Sequence, residues 1–288
     1  MVTLDHSAID QYWPKLYGFN YSLCDQRVPP VERVPGHPTW WVARDDLTLG
    51  GTKSRVLTAV LHALGWSRGQ PAVYAGPAQG GMQIALAVST TVDAHLFYGE
   101  RRVKGLHPRQ KETLKYGAHH HYSPYPSVRP TQVKAFAKRW SEQHGATRLA
   151  WGLAYREVLN VLANLMEATL SKYGRFDEVW VAGGSGTLAT GLKLGATAAR
   201  SNAVFHVVPI GRTMHWGEAM GCVVHESPKY PMDRRVKTAA PFPCDPYYDG
   251  KAWEYAIAYI RSIHEDGWDE NPSCRRLFWN VIAPPQED

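Results

Sequence analysis

Three segments of this 288-residue chain carry residue types at spacings that can do chemistry. The first is Arg44-Asp45-Asp46-Leu47-Thr48-Leu49-Gly50-Gly51-Thr52-Lys53-Ser54-Arg55, placed between an expected strand and an expected helix. A cation at a helix start opposes the helix dipole, so Lys53 gains nothing there unless its amine is neutral or bonded. A Schiff base meets that condition, and a solvated surface lysine is the plain alternative. The second is Val181-Ala182-Gly183-Gly184-Ser185-Gly186-Thr187-Leu188-Ala189-Thr190-Gly191. Glycines let a backbone turn sharply and bring its N–H groups near an anion, and the helix that follows adds its positive end, so a phosphate is the natural guest. No Gly-Lys-Ser or Gly-Lys-Thr follows and the dinucleotide spacing is absent, which leaves a bare glycine-rich turn as the other reading. The third is Cys244-Asp245-Pro246-Tyr247-Tyr248-Asp249-Gly250-Lys251-Ala252-Trp253, where Asp249 taken alone reads as a helix N-cap.

The elements that must position these residues follow from periodicity. Strands are expected over 40–43, 72–75, 94–97, 178–182, 204–209 and 277–282, and helices over 53–64, 79–90, 130–144, 154–173 and 250–263. A further helix follows the glycines at 183–186. Strands that alternate with helices imply an α/β fold with mostly parallel sheets covered on both faces. Residues 1–38, rich in proline and tyrosine without a clear period, read as an extended arm. The expected division is a large lobe from 1–75 and 153–288 and a small lobe from 76–152.

Composition narrows the field. With 44% hydrophobic and 20% charged residues, disorder is a poor description. The net charge of +6 leaves room for an anionic ligand, a phosphorylated cofactor or nucleic acid. Cys24, Cys222, Cys244 and Cys274 lie far apart with no CxxC pair, which argues against a zinc ribbon or a disulfide framework. No signal-like start and no bilayer-length apolar run is visible, so a soluble, cytoplasmic protein is expected.

Taken together and in order, the three segments resemble the fold type II pyridoxal-phosphate enzymes, the tryptophan synthase β superfamily, nearest the branch of 1-aminocyclopropane-1-carboxylate deaminase and D-cysteine desulfhydrase. Arg44-Asp45-Asp46 with the stretch from Gly50 to Arg55 is similar to that family's RDD and GGNKxRKL. Residues 181–192 are similar to its GSGGTxAGL phosphate loop, and residues 245–252 to its DPVY(T/E)GK(A/S) segment. The resemblance spans about residues 29 to 282. It implies pyridoxal 5'-phosphate as cofactor, two lobes, and a homodimer. Lys53 would then hold the cofactor as a Schiff base and move protons at the substrate carbon, while Gly183, Gly184, Ser185, Gly186 and Thr187 would bind its phosphate. Asp249 would pair with the pyridine nitrogen, keeping it protonated so that the ring accepts the electrons of a substrate carbanion or quinonoid. Tyr248 is a candidate acid, base or nucleophile, or a structural neighbour, and Tyr247 a weaker one. The implied activity is that of a lyase acting at Cα of an amine or amino acid, by deamination, elimination or decarboxylation.

Two departures bear on the substrate. The family's Gln-Ser-Asn-His becomes Gln79-Gly80-Gly81-Met82, a substrate loop with smaller side chains and a wider entrance, and its terminal HTGG becomes Asn280-Val281-Ile282-Ala283. Basic residues near Arg101, Arg102, Lys104, Arg109, Lys111, Lys115, Arg234, Arg235, Lys237, Arg275 and Arg276, with Tyr98, Tyr116, Trp140 and Tyr230 close in sequence, allow a DNA-borne substrate. The specific form is an amino acid attached to thymine, as in bacteriophage DNA hypermodification. A solvated basic surface is the simpler reading, and an inactive relative that binds nucleic acid is the rival of another class. His119-His120-His121 alternate across a strand and cannot all ligate one ion; with no carboxylate or Cys at ligand spacing, no metal site is expected.

Overall fold

A computed structural model describes residues 9, 12–99, 105–123, 129–210, 221–226, 234–263 and 273–286. The chain divides into two compact units. The first, residues 1–15, 26–47 and 154–284, is built on a six-stranded sheet of order β1-β2-β10-β7-β8-β9. Its strands are β1 (Val31–Arg33), β2 (Trp40–Arg44), β7 (Glu178–Gly183), β8 (Val204–Pro209), β9 (Val223–Val224) and β10 (Arg276–Asn280). All neighbours run parallel except β1, which pairs antiparallel with β2. In the central strands β7 and β10 nearly every residue is buried, as a sheet covered on both faces requires. Helix α7 (Asp249–Ile263) covers one face with Trp253, Ala256 and Ile260 against Trp40, Trp180 and Phe278. Helices α5 (Arg156–Tyr173) and α6 (Thr187–Ala198) approach closely because α6 places glycine against α5: a Cβ on Gly195 would lie 2.1 Å from the Ala163 carbonyl oxygen.

The second unit, residues 16–25, 48–153 and 285–288, carries an all-parallel sheet of order β5-β4-β3-β6. Its strands are β3 (Pro71–Ala75), β4 (Asp93–Tyr98), β5 (His119–Tyr122) and β6 (Thr147–Arg148), and its helices are α1 (Ser54–Ala63), α2 (Gly81–Ala87), α3 (Pro108–Lys115) and α4 (Pro130–Gln143). The α/β architecture with two mostly parallel sheets agrees with the sequence. Residues 48–75, expected in the large lobe, belong to this unit, because β3 hydrogen-bonds to β4 and β6.

Helix α3 has no counterpart among the expected elements, and its composition explains why. It buries Arg109, Gln110, Glu112 and Thr113 in place of an apolar stripe. The charges inside are paired, with Arg109 Nη1 donating to Glu112 Oε2 at 2.6 Å, and His107 caps the helix by accepting from the Arg109 N–H at 3.1 Å. Among the described residues no helix is long and apolar enough to cross a membrane.

Candidate active site

In the first unit, β7 lies between β10 and β8, so the loop at its carboxyl end occupies the position where open α/β sheets bind ligands. That loop is the glycine-rich turn. Gly186 adopts φ 89°, a left-handed conformation that favours glycine, and the chain then enters α6 with no side-chain cap on its first turn. The first N–H groups of a helix have no intrahelical partner, so this end offers donors and a positive dipole to an anion. Two side chains fix the loop through one atom: Thr187 Oγ1 accepts from Ser185 Oγ at 3.2 Å and from Trp13 Nε1 at 3.4 Å.

The same unit brings the aspartate segment to the loop. Tyr248 Oη donates to the Ala182 carbonyl at 3.3 Å, and a Cβ on Gly184 would stand 2.9 Å from that hydroxyl. The turn before α7 is held by Asp245, whose Oδ1 accepts from the Tyr247 N–H at 2.8 Å and whose carbonyl accepts from the Gly250 N–H at 2.8 Å. Asp249 opens α7 yet its carboxylate points to the segment after β10, where Oδ2 accepts from the N–H groups of Val281 and Ile282, each at 3.2 Å. The N-cap reading of Asp249 is thereby replaced by a long-range one.

Asp249 is 0% exposed, and its Oδ1 is buried with no hydrogen-bond partner. Burial, reinforced by the charge of Asp245, pushes its carboxyl well above the ordinary carboxylate range, and the two backbone donors oppose that only in part. A buried carboxylate with one idle oxygen needs a donor, and the N–H of a protonated ring nitrogen has the right chemistry to supply it. The loop and the carboxylate thus fit the phosphate and the pyridine nitrogen of pyridoxal phosphate. A second idle acceptor was not singled out from sequence: Asn280 at the end of β10 is 0% exposed, donates Nδ2 to the Pro243 carbonyl at 2.7 Å, and leaves Oδ1 buried without a partner. The signal was present as a lone amide closing the apolar run Leu277-Phe278-Trp279.

The second unit holds the remaining candidates. Lys53 is the residue immediately before α1, with φ −71° and ψ −28°, and is half-buried. Arg55 behind it is a structural tie, its Nη1 donating to the Asp25 carbonyl at 3.1 Å. Gln79 is buried, Gly80 precedes α2 in an extended conformation, and Gly81 is its first residue. Back in the first unit, the Arg44-Asp45-Asp46 run is also structural: Arg44 binds Asp46 through two bonds of 2.9 Å and Glu32 through one of 2.9 Å. Trp279 Nε1 donates to Asp45 at 3.3 Å.

No family model matches the chain, and no curated protein matches its sequence. Solved structures do match. An ACC deaminase homologue superposes with TM-score 0.64 at 16% identity, covering 96% of this chain and 93% of that one. O-ureido-L-serine synthase gives TM-score 0.65 at 16% identity, with coverage of 93% and 92%. Diaminopropionate ammonia lyase from Escherichia coli gives TM-score 0.58 at 13% identity, with coverage of 96% and 86%. The chain has the fold of the fold type II pyridoxal-phosphate enzymes.

The expected basic surface is corrected in part. Arg109 is 1% exposed and paired with Glu112; Arg276 is 3% exposed and donates to Glu178 at 3.1 Å and to Thr39 at 3.1 Å. Arg275 donates to the carbonyls of Arg175 and Tyr173, at 2.9 Å each, and lies over Trp41 and Phe176. Apolar-rich units bury such cations only where acceptors meet them, which sequence spacing does not reveal. Lys111, Lys115, Arg234, Arg235 and Lys237 are exposed, and Arg101, Arg102, Lys104 and Tyr230 lie outside the described residues.

Proposed function

We propose that this protein is a pyridoxal-phosphate-dependent enzyme acting at Cα of an amine or amino acid. The observation that carries the reading is the buried, unpartnered Oδ1 of Asp249 in the same unit as an uncapped glycine loop. When bound, the cofactor supplies an electron sink for negative charge that develops on the substrate carbon. Residues 183–187 hold its phosphate through backbone N–H groups. Asp249 would keep a proton on the ring nitrogen by offering its idle Oδ1 as acceptor. Lys53 would supply the amine that holds the cofactor and the base that moves the proton at Cα. Tyr248 positions the glycine loop through Ala182, and Gln79, Gly80, Gly81 and Tyr247 contact the substrate. With Arg109 and Arg276 engaged in buried ion pairs, the substrate proposed is a free amine or amino acid in place of one attached to DNA.

Incubation of the cofactor-loaded protein with D- and L-amino acids in D2O, followed by proton NMR, tests this. The expected result is loss of the α-proton signal or formation of a new product for at least one compound, abolished in Lys53→Ala. No change with any of them in the loaded protein contradicts the reading.

A further inference from the structure

The edge of the smaller sheet gathers a side-chain cluster that the proposed chemistry does not use. Strand β5 is one of the two outer strands and pairs in parallel with β4, in a register that sets His119 against His95, His120 against Leu96 and His121 against Phe97. Alternation along a strand sends His119 and His121 to one face and His120 to the other. The structure agrees: His120 bonds Thr113 Oγ1 at 2.9 Å and Tyr122 Oη at 3.0 Å, while His95 Nδ1 meets His121 Nε2 at 2.8 Å. The carboxylate that the sequence shows nowhere near the histidine run comes from the start of β4. Asp93 Oδ2 lies 3.1 Å from His95 Nε2, and Asp93 Oδ1 lies 3.3 Å from His119 Nε2.

One ligand atom from each of Asp93, His95 and His119 falls within 4.8 Å of the others. Bonds of about 2.0–2.2 Å from one ion to imidazole nitrogen and carboxylate oxygen set tetrahedral ligand atoms roughly 3.3–3.6 Å apart, and the 3.3 Å between Asp93 Oδ1 and His119 Nε2 lies in that range. The His95 ring is stacked on His119 at 4.7 Å and set over Trp140 at 4.4 Å. Its second nitrogen is occupied by His121. A ligating histidine characteristically has its other ring nitrogen hydrogen-bonded in this way, which fixes both ring and tautomer. In the tautomer with the proton on Nδ1, donated to His121, the lone pair of Nε2 faces the Asp93 carboxylate, an arrangement that a cation between them satisfies. The Asp93 and His119 side chains are 40% and 61% exposed, leaving the open side to water ligands.

We propose that Asp93, His95 and His119 form a binding site for a divalent transition-metal ion of the zinc class, clipping edge strand β5 to β4. Two imidazoles with one carboxylate select zinc, cobalt or nickel over magnesium and calcium. This site is independent of the cofactor reading.

The test uses full-length protein without a polyhistidine tag, stripped with a chelating resin and equilibrated by dialysis against ZnCl2. Wild type and His120→Gln are expected to hold about one zinc per chain at micromolar free metal, with thermal stability rising as zinc is added. His119→Gln, whose side chain is exposed and whose fold is checked by circular dichroism, and Asp93→Asn are expected to bind at least tenfold more weakly. Absence of saturable binding to wild type overturns the proposal. So does equal binding by wild type, His119→Gln and Asp93→Asn, which would place the ion elsewhere.

Discussion

The hydroxyl of Tyr248 donates to the carbonyl of Ala182 at 3.3 Å, joining the turn that carries Asp249 to the strand end that carries the glycine loop. The two motifs, 66 residues apart in sequence, are therefore held in one register. Binding of a phosphate at one and a ring nitrogen at the other depends on that spacing, and preorganised spacing is what binding energy would otherwise have to impose.

This relationship predicts a coupled pair. An alanine Cβ at Gly184 would stand 2.9 Å from Tyr248 Oη, and overpacking of that kind costs about 1–3 kcal/mol. Gly184→Ala should weaken cofactor retention by roughly tenfold, and adding Tyr248→Phe, which removes the clashing oxygen, should recover much of it. Cofactor dissociation followed by fluorescence reports both. Strictly additive losses in the double variant would show that the two residues do not share a constraint.

Asp249 predicts a pH dependence with a definite sign. Its carboxyl is raised well above the ordinary 3.8 in the cofactor-free chain, so its contribution to stability is complete below the ordinary carboxylate range and is lost as pH rises through the folded value. Cofactor-free protein should lose thermal stability across that rise, and Asp249→Asn, which keeps an acceptor for Val281 and Ile282 without a charge, should flatten it. In the loaded enzyme the same variant should keep the cofactor but lose about 100-fold or more in kcat, since a neutral amide cannot hold the ring nitrogen protonated.

Two buried histidines act in the opposite direction. His206 stacks on Trp180 at 4.1 Å and bonds His225 at 2.9 Å, and burial lowers both rings from 6.5 to about 4. A depressed base contributes stability that is present above 6.5 and lost as pH falls toward about 4. Acid unfolding should therefore gain steepness in that interval, and His225→Gln should reduce it; a transition of unchanged steepness would remove these rings from the account.

The Arg109–Glu112 pair separates a structural cation from a nucleic-acid contact. Breaking a buried ion pair from one side costs about 3–5 kcal/mol, so Arg109→Ala should unfold at markedly lower temperature. Unchanged stability together with a loss of DNA affinity would restore the basic-surface reading.

Most of what positions the candidate site was legible from residues alone. The glycine loop, Lys53 and Asp249 were each ambiguous alone and gained their roles only from the order of the three segments, while β8 falls on the expected 204–209. What was hidden depends on distant partners. Helix α3 buries a paired Arg and Glu, so no apolar period marks it. The donors that fix Asp249 come from Val281 and Ile282, more than 30 residues away in the chain, and nothing local says that only one carboxylate oxygen will be satisfied. Asp93 reaches His119 only through the parallel register of β4 and β5. Strand 71–75 likewise joins the sheet of β4 and β6 through its hydrogen bonds, which its composition does not show.

The most direct test of the central claim is borohydride reduction of the protein loaded with pyridoxal phosphate, followed by peptide mapping with mass spectrometry. The expected result is a visible absorption band that disappears on reduction and a cofactor-derived mass on the peptide containing Lys53, both absent in Lys53→Ala. Absence of the band after cofactor addition, or a reduced adduct mapped to another lysine, would contradict it.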